Sequence, residues 1–157
     1  MKNKIFTIKK GLNRSRWLPS FTTQRNLIIN FTLLDDFEYE SSDDNINSLY
    51  GFSDGLYHKT NSIQFGWRWV KDKGVELLAE FYSNGINDYR SLGFIKTNEE
   101  HSATIQIHKK KYIVIVNGRV TVITRGSKWC LLRYRLFPSF NSSNGAPKNF
   151  KIQINEK

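Results

Sequence analysis

Residues 62–71, SIQFGWRWVK, alternate with period two. Ile63, Phe65, Trp67 and Trp69 fall on one side, and Gln64, Gly66, Arg68 and Val70 on the other. That alternation predicts a half-buried strand. KDKG follows as a turn, and VELLAEFYSN returns as the partner strand. The continuous apolar row is expected to face a core, since each buried aromatic contributes about 2–3 kcal/mol. SATIQIHK, YIVIVNG and RVTVITRG read as a meander, with Asn117-Gly118 supplying the positive-φ pair of a tight hairpin. KIFTIKK, NLIINFTLL, YRSLGFIK, CLLRYRLFPSF and NFKIQIN are further strand runs, whereas LYGFSDGLYHKTN is punctuated like a long loop. The pattern gives about ten strands and no amphipathic helix, which predicts an all-β, antiparallel sandwich or barrel.

The polar side of the FGWRW hairpin is the first place to look for function. Closing KDKG puts Gln64 and Arg68 beside Glu76, Glu80 and Tyr82, with an Arg68–Glu80 pair expected across the strands. A sheet face with fixed polar groups and a ring suits a sugar; the same face is also an ordinary solvated surface. In LLRYRLF, Arg133 and Arg135 share one side and Leu132, Tyr134 and Leu136 the other. Two such arginines suit carboxylates or phosphates, or the chain's own acids. Tyr57 and His58 in the loop add candidate acid–base groups. The expected ligand-binding set is therefore Gln64, Arg68, Glu80, Tyr82, Arg133, Arg135, Tyr57 and His58.

Composition bounds the alternatives. The chain has 157 residues and a net charge of +10. No Asp or Glu occurs in residues 1–34, six acids crowd residues 35–44, and ten Lys or Arg without one acid occupy residues 101–155. A basic N-terminal strand and arm over 1–25 and one sandwich domain over 26–157 are expected. The imbalance suggests a polyanionic partner; nucleic acid fits by charge, but no reader motif is present. No apolar run is long enough for a membrane helix, and the N-terminus lacks the apolar stretch of a secretion signal. The single Cys130 excludes an internal disulfide and is expected to be buried. His58, His101 and His108 lack metal-ligand spacing, and DDFEYESSDDN lacks the EF-hand pattern, so neither a metal nor another cofactor is expected. Glu76 and Glu80 lie four residues apart on one strand, about 13 Å, too far for a glycosidase pair.

The meander SATIQIHKKKYIVIVNGRVTVI resembles part of concanavalin-A-like and laminin-G-like jelly rolls. Residues 48–154 are similar to a small β-sandwich family of unknown function found in gut bacteria and bacteriophages. Gly51-Phe52-Ser53, Asn61-Ser62, Gly66-Trp67-Arg68, Asn84-Gly85, Pro138 and Ala146-Pro147 carry the likeness. Ser139-Phe140-Asn141-Ser142 departs from the Tyr-Phe-Gly-Gly expected there. The arm GLNRSRW resembles leaders of phage-encoded members, which implies a virion or host-cytoplasmic location.

These observations favour a non-enzymatic, phage-encoded module that binds a carbohydrate or other anionic surface. One alternative is a structural virion protein, a capsid decoration or connector, with virion proteins or further copies of itself as partners. The other is a polysaccharide lyase or hydrolase in which Tyr57, His58, Arg68 and Tyr82 converge.

Overall fold

The computed structural model describes residues 3–15, 20–40, 45–55, 57–126 and 132–157. Its strands form two antiparallel sheets of six. The first sheet runs, in spatial order, β1 (Lys4–Ile8), β12 (Phe150–Glu156), β3 (Asn26–Leu34), β8 (Glu100–His108), β9 (Lys111–Val116) and β10 (Arg119–Thr124). The second runs β2 (Phe21–Thr22), β11 (Arg133–Leu136), β4 (Asn47–Ser53), β5 (Ser62–Val70), β6 (Gly74–Ser83) and β7 (Ile86–Ile95). The described residues contain no helix, and VELLAEFYS is strand β6, as its partner turn predicts. The architecture is the expected β-sandwich, with twelve strands rather than ten.

The aromatic row faces the space between the sheets. Ile63, Phe65 and Trp67 are fully buried, and Trp69, near the turn, packs half-buried against them. Trp67 of the second sheet meets Phe150 of the first at 5.1 Å and Phe37 at 4.8 Å, and Phe140 stacks on Phe150. Such tilted and edge-on contacts join the layers through ring quadrupoles as well as buried area. Asn117 and Gly118 have φ values of 46° and 84°, the left-handed pair required by the tight β9–β10 turn.

Two expectations need correction. Residues 49–53 were expected to be loop, but they belong to β4, a strand inside the second sheet between β11 and β5. A register shift between Ser48 and Tyr50 breaks the period-two pattern, so Leu49 and Tyr50 are both buried. Gly51 is there for close approach: a Cβ would sit 2.5 Å from Gln64 Cα. Only the stretch after Ser53 is loop. The second correction concerns the paired arginines of β11, which point inward: Arg133 and Arg135 are 2% and 6% exposed. Cys130, Asp43 and Asp44 lie outside the described residues.

The arginines turn inward because their partners are inside. Asp54, at the end of β4, is buried. Its Oδ1 accepts Arg133 Nε at 3.1 Å and Arg125 Nη2 at 2.9 Å. Its Oδ2 accepts the Tyr112 hydroxyl at 3.0 Å and pairs with Arg125 Nε. Burial, then the Asp54 charge, push the Tyr112 hydroxyl well above its ordinary range, so it stays a donor. Tyr112 belongs to β9 and Arg125 follows β10, whereas Arg133 belongs to β11. The carboxylate therefore ties the two sheets together. Arg135, further along β11, pairs with Glu156 of β12.

Removing one partner of such a cluster strands buried charge. Asp54→Ala is expected to destabilise the fold by about 3–5 kcal/mol, read as a lowered urea midpoint. A change below about 1 kcal/mol would mean that the cluster behaves as an exposed ion pair.

Candidate functional site

The outer face of the second sheet is set by register. Across β5 and β6, Ser62 lies opposite Tyr82, Gln64 opposite Glu80, and Arg68 opposite Glu76. Across β6 and β7, Tyr82 lies opposite Asn87 and Glu80 opposite Tyr89. These positions alternate with the core-facing row, so one face carries amides, hydroxyls, the half-buried Tyr82 ring and the exposed Tyr89 ring around two carboxylates, Glu76 and Glu80, that are themselves buried.

Both carboxylates on this face are held by the sheet. Glu80 accepts Gln64 Nε2 at 2.6 Å and Asn87 Nδ2 at 3.1 Å. Glu76 accepts Arg68 Nε at 2.8 Å and the Ser91 hydroxyl at 2.5 Å. Arg68 therefore pairs with Glu76, its direct cross-strand partner, and not with Glu80. The Arg68 guanidinium also lies 5.5 Å from the centre of the Tyr89 ring. Gln64 keeps a second N–H and its carbonyl, because the bond to Glu80 uses only one amide hydrogen.

His58 hangs over one end of this face. The loop that carries it is pinned at several points. Asp54 N–H donates to the Asn61 carbonyl, Gly85 N–H to the Thr60 carbonyl, and Asn84 N–H to Asn61 Oδ1. The His58 ring meets Tyr82 and Tyr134 edge-on, at 6.4 and 6.5 Å. The Tyr134 hydroxyl accepts the His58 backbone N–H at 3.1 Å and lies 3.0 Å from His58 Nδ1. While accepting the backbone N–H, that hydroxyl can direct its own proton at Nδ1 of a neutral imidazole. Partial burial, then the positive charges of Lys59 and Arg14, lower the His58 pKa below 6.5, opposed by Glu80. The neutral ring is therefore the dominant form at neutral pH.

The structure places the expected residues unequally. Gln64, Glu80 and Tyr82 share the outer face, and His58 contacts Tyr82. Arg68 is on the same face but six residues along β5 from Ser62, about 20 Å away from the His58 end. Tyr57 is 77% exposed beside His58. Arg133 and Arg135 are not on this face. Period two, with those arginines inside, puts Tyr134 outside instead. Sequence reasoning had set Tyr134 opposite the two arginines, as it is, but had given the arginines the contact face, and it had no means of finding Asn87, Tyr89 or Arg14, which register and chain crossing bring in. Among the described residues no group of three or more His, Cys, Asp or Glu could hold a metal.

No family model matches the chain, and no curated protein matches it. Solved structures do. The alginate lyase AlyC3 aligns with a TM-score of 0.63 and 13% identity over 98% of this chain and 73% of its own. Alginate lyase vAL-1 from Chlorella virus aligns at 0.55, with 13% identity over 97% of this chain and 81% of its own. The Crh5 transglycosylase aligns at 0.61, with 12% identity over 97% and 70%. Such identities carry the fold, a jelly-roll sandwich shared nearly end to end. The preference for a non-enzymatic module is corrected on this ground: the solved structures that share the fold are named as lyases and a transglycosylase.

The state of His58 is directly measurable. Its NMR titration midpoint is expected below 6.5, and Glu80→Gln should lower it further by removing the one opposing charge. A depressed folded pKa means that the unfolded chain takes the proton first. The His58 contribution to stability is thus present above pH 6.5 and is lost as pH falls through the folded value. A midpoint at or above 6.5 would contradict this environment.

Proposed function

We propose that this chain is a polysaccharide-active enzyme that cleaves a uronate-containing polymer by β-elimination. The observation that carries the reading is the bond between His58 and the Tyr134 hydroxyl, with Tyr82 alongside, at one end of a polar sheet face. The expected partner, an acidic carbohydrate, fits this face and agrees with the alginate and dimannuronate named for the structural neighbours.

Elimination needs a base for the proton α to the uronate carboxylate and an acid for the departing glycosidic oxygen. Tyr134 Oη takes the α proton as its own hydroxyl proton passes to His58 Nδ1. The carbon's electron pair forms the double bond, the glycosidic C–O bond breaks, and the leaving oxygen takes a proton from the Tyr82 hydroxyl. Gln64, through its remaining N–H, and Arg14, whose charge already reaches His58, are the groups that steady the carboxylate while charge develops. Hydrolysis is the weaker fit, because Glu76 and Glu80 each accept two bonds from the sheet and lie about 13 Å apart along one strand. The likeness of the basic arm to phage-encoded leaders supports a virion-borne enzyme meeting an acidic host coat.

Incubation with polymannuronate, polyguluronate, polyglucuronate and pectate tests the reading. At least one polymer should release ends with the ultraviolet absorbance of a conjugated double bond. Tyr134→Phe and His58→Ala should each lower that rate by about 10²–10⁴-fold. New reducing ends without the absorbance, abolished by Glu80→Gln, would instead establish hydrolysis.

A further inference from the structure

A second cleft lies at the strand edges of the sandwich, next to the sheet face, since Phe21, one of its lining residues, meets Tyr134 edge-on at 6.5 Å. There the β1–β12 edge of the first sheet and the β2–β11 edge of the second leave a cleft of about 540 Å³. That volume is in the range of small-molecule sites. We infer that this cleft binds a hydroxylated carboxylate, a monomeric sugar acid, through Arg135 and Lys4.

The charges lining the cleft decide the class of ligand. Arg135, 5% exposed at its side chain, gives Nη2 to Gln24 Oε1 at 2.6 Å and to Glu156 Oε1. Glu156 is satisfied from inside the protein, since its Oε2 also accepts the Tyr50 hydroxyl at 2.9 Å. Arg135 Nη1, by contrast, is buried with no hydrogen-bond partner among the described residues. An unmade bond at a buried guanidinium is costly, and a small shift of the side chain that opens Nη1 to the cleft would let an incoming oxygen make it. Lys4 lines the same cleft, is exposed, and has no ion pair among the described residues. Arg135 and Glu156 cancel, so Lys4 leaves one positive charge for one carboxylate.

The remaining lining suits hydroxyl groups and a ring face. Ser20, Thr22 and Thr23 border the cleft. Thr22 Oγ1 accepts the Gln24 N–H at 3.1 Å, which leaves its own proton to donate. Phe21, 58% exposed, offers an apolar surface to the C–H side of a sugar. A simple carboxylate would use the charge alone, and a neutral sugar only the rim.

Isothermal titration with glucuronate, glucose and acetate tests this on the intact chain. Glucuronate should bind at one site, with glucose and acetate each weaker by at least about tenfold. Lys4→Glu, a change at an exposed position, should weaken glucuronate by about tenfold or more, whereas His58→Ala should leave it unaltered. Three results would overturn the site: no saturable glucuronate binding, acetate binding as well as glucuronate, or an affinity indifferent to Lys4→Glu. Loss of binding in His58→Ala would also overturn it, by moving the ligand to the sheet face. Because the probes are monomers, the outcome is independent of whether the chain cleaves a polymer.

Discussion

One buried carboxylate decides which way strand β11 faces. Asp54 draws Arg133 inward from the second sheet and Arg125 and the Tyr112 hydroxyl from the first. Because side chains alternate, Arg133 inside forces Tyr134 outside. Asp54 also closes β4 and opens the loop that carries His58. The same residue therefore roots both partners of the Tyr134–His58 contact. A buried ion cluster is weak evidence of net stability, since well-packed apolar groups often do as well. Its stronger consequence here is register and facing: flipping β11 would take Arg133 away from Asp54 and would place Tyr134 in the core.

Much of the fold was legible from period two, and the failures share one cause. Phe65 and Trp67 could be assigned to the core because their run is long, regular and bounded by a turn. Strand β4 was hidden because its register shift puts Leu49 and Tyr50 on the same side of burial, and because Gly51 and Ser53 look like loop residues. The facing of Arg133 and Arg135 was hidden because charged residues are presumed outside. Their acids stand 79 and 21 positions away, at Asp54 and Glu156, and no local pattern announces that. At the site, Gln64, Glu80 and Tyr82 were legible as one face of one hairpin. Tyr134 was not, because it arrives through strand β11 only once the arginines are known to be inside.

The charge imbalance also changes meaning in three dimensions. Of the ten basic residues in 101–155, Arg125, Arg133 and Arg135 are interior and spend their charge on the protein's own acids. Lys148 and Lys151 pair with Asp36 and Asp35 of the acidic segment, and the Lys148 contact holds the Asp36 carboxyl below its ordinary range. The sheet face itself carries both signs. Recognition of a polyanion there cannot rest on bulk positive charge; it needs a few donors held at fixed positions.

That requirement gives the two carboxylates of the face a role other than chemistry. A glycosidase pair must stay free to exchange protons or attack, and the two groups must converge on one bond. Glu80 is bonded on both oxygens by the amides of Gln64 and Asn87, and Glu76 by Arg68 and Ser91. Each instead fixes a donor of the face, which in the proposed reaction lowers the entropy lost on binding the polymer. Elimination needs neither an attacking water nor a carboxylate base: beside an acid for the leaving oxygen and donors that steady the uronate carboxylate, it needs a hydroxyl whose proton has somewhere to go. In the proposed reaction the Tyr134–His58 bond is that outlet, at the end of the same row of positioned donors, so the feature that weakens a hydrolytic reading is the one that supports the lyase reading.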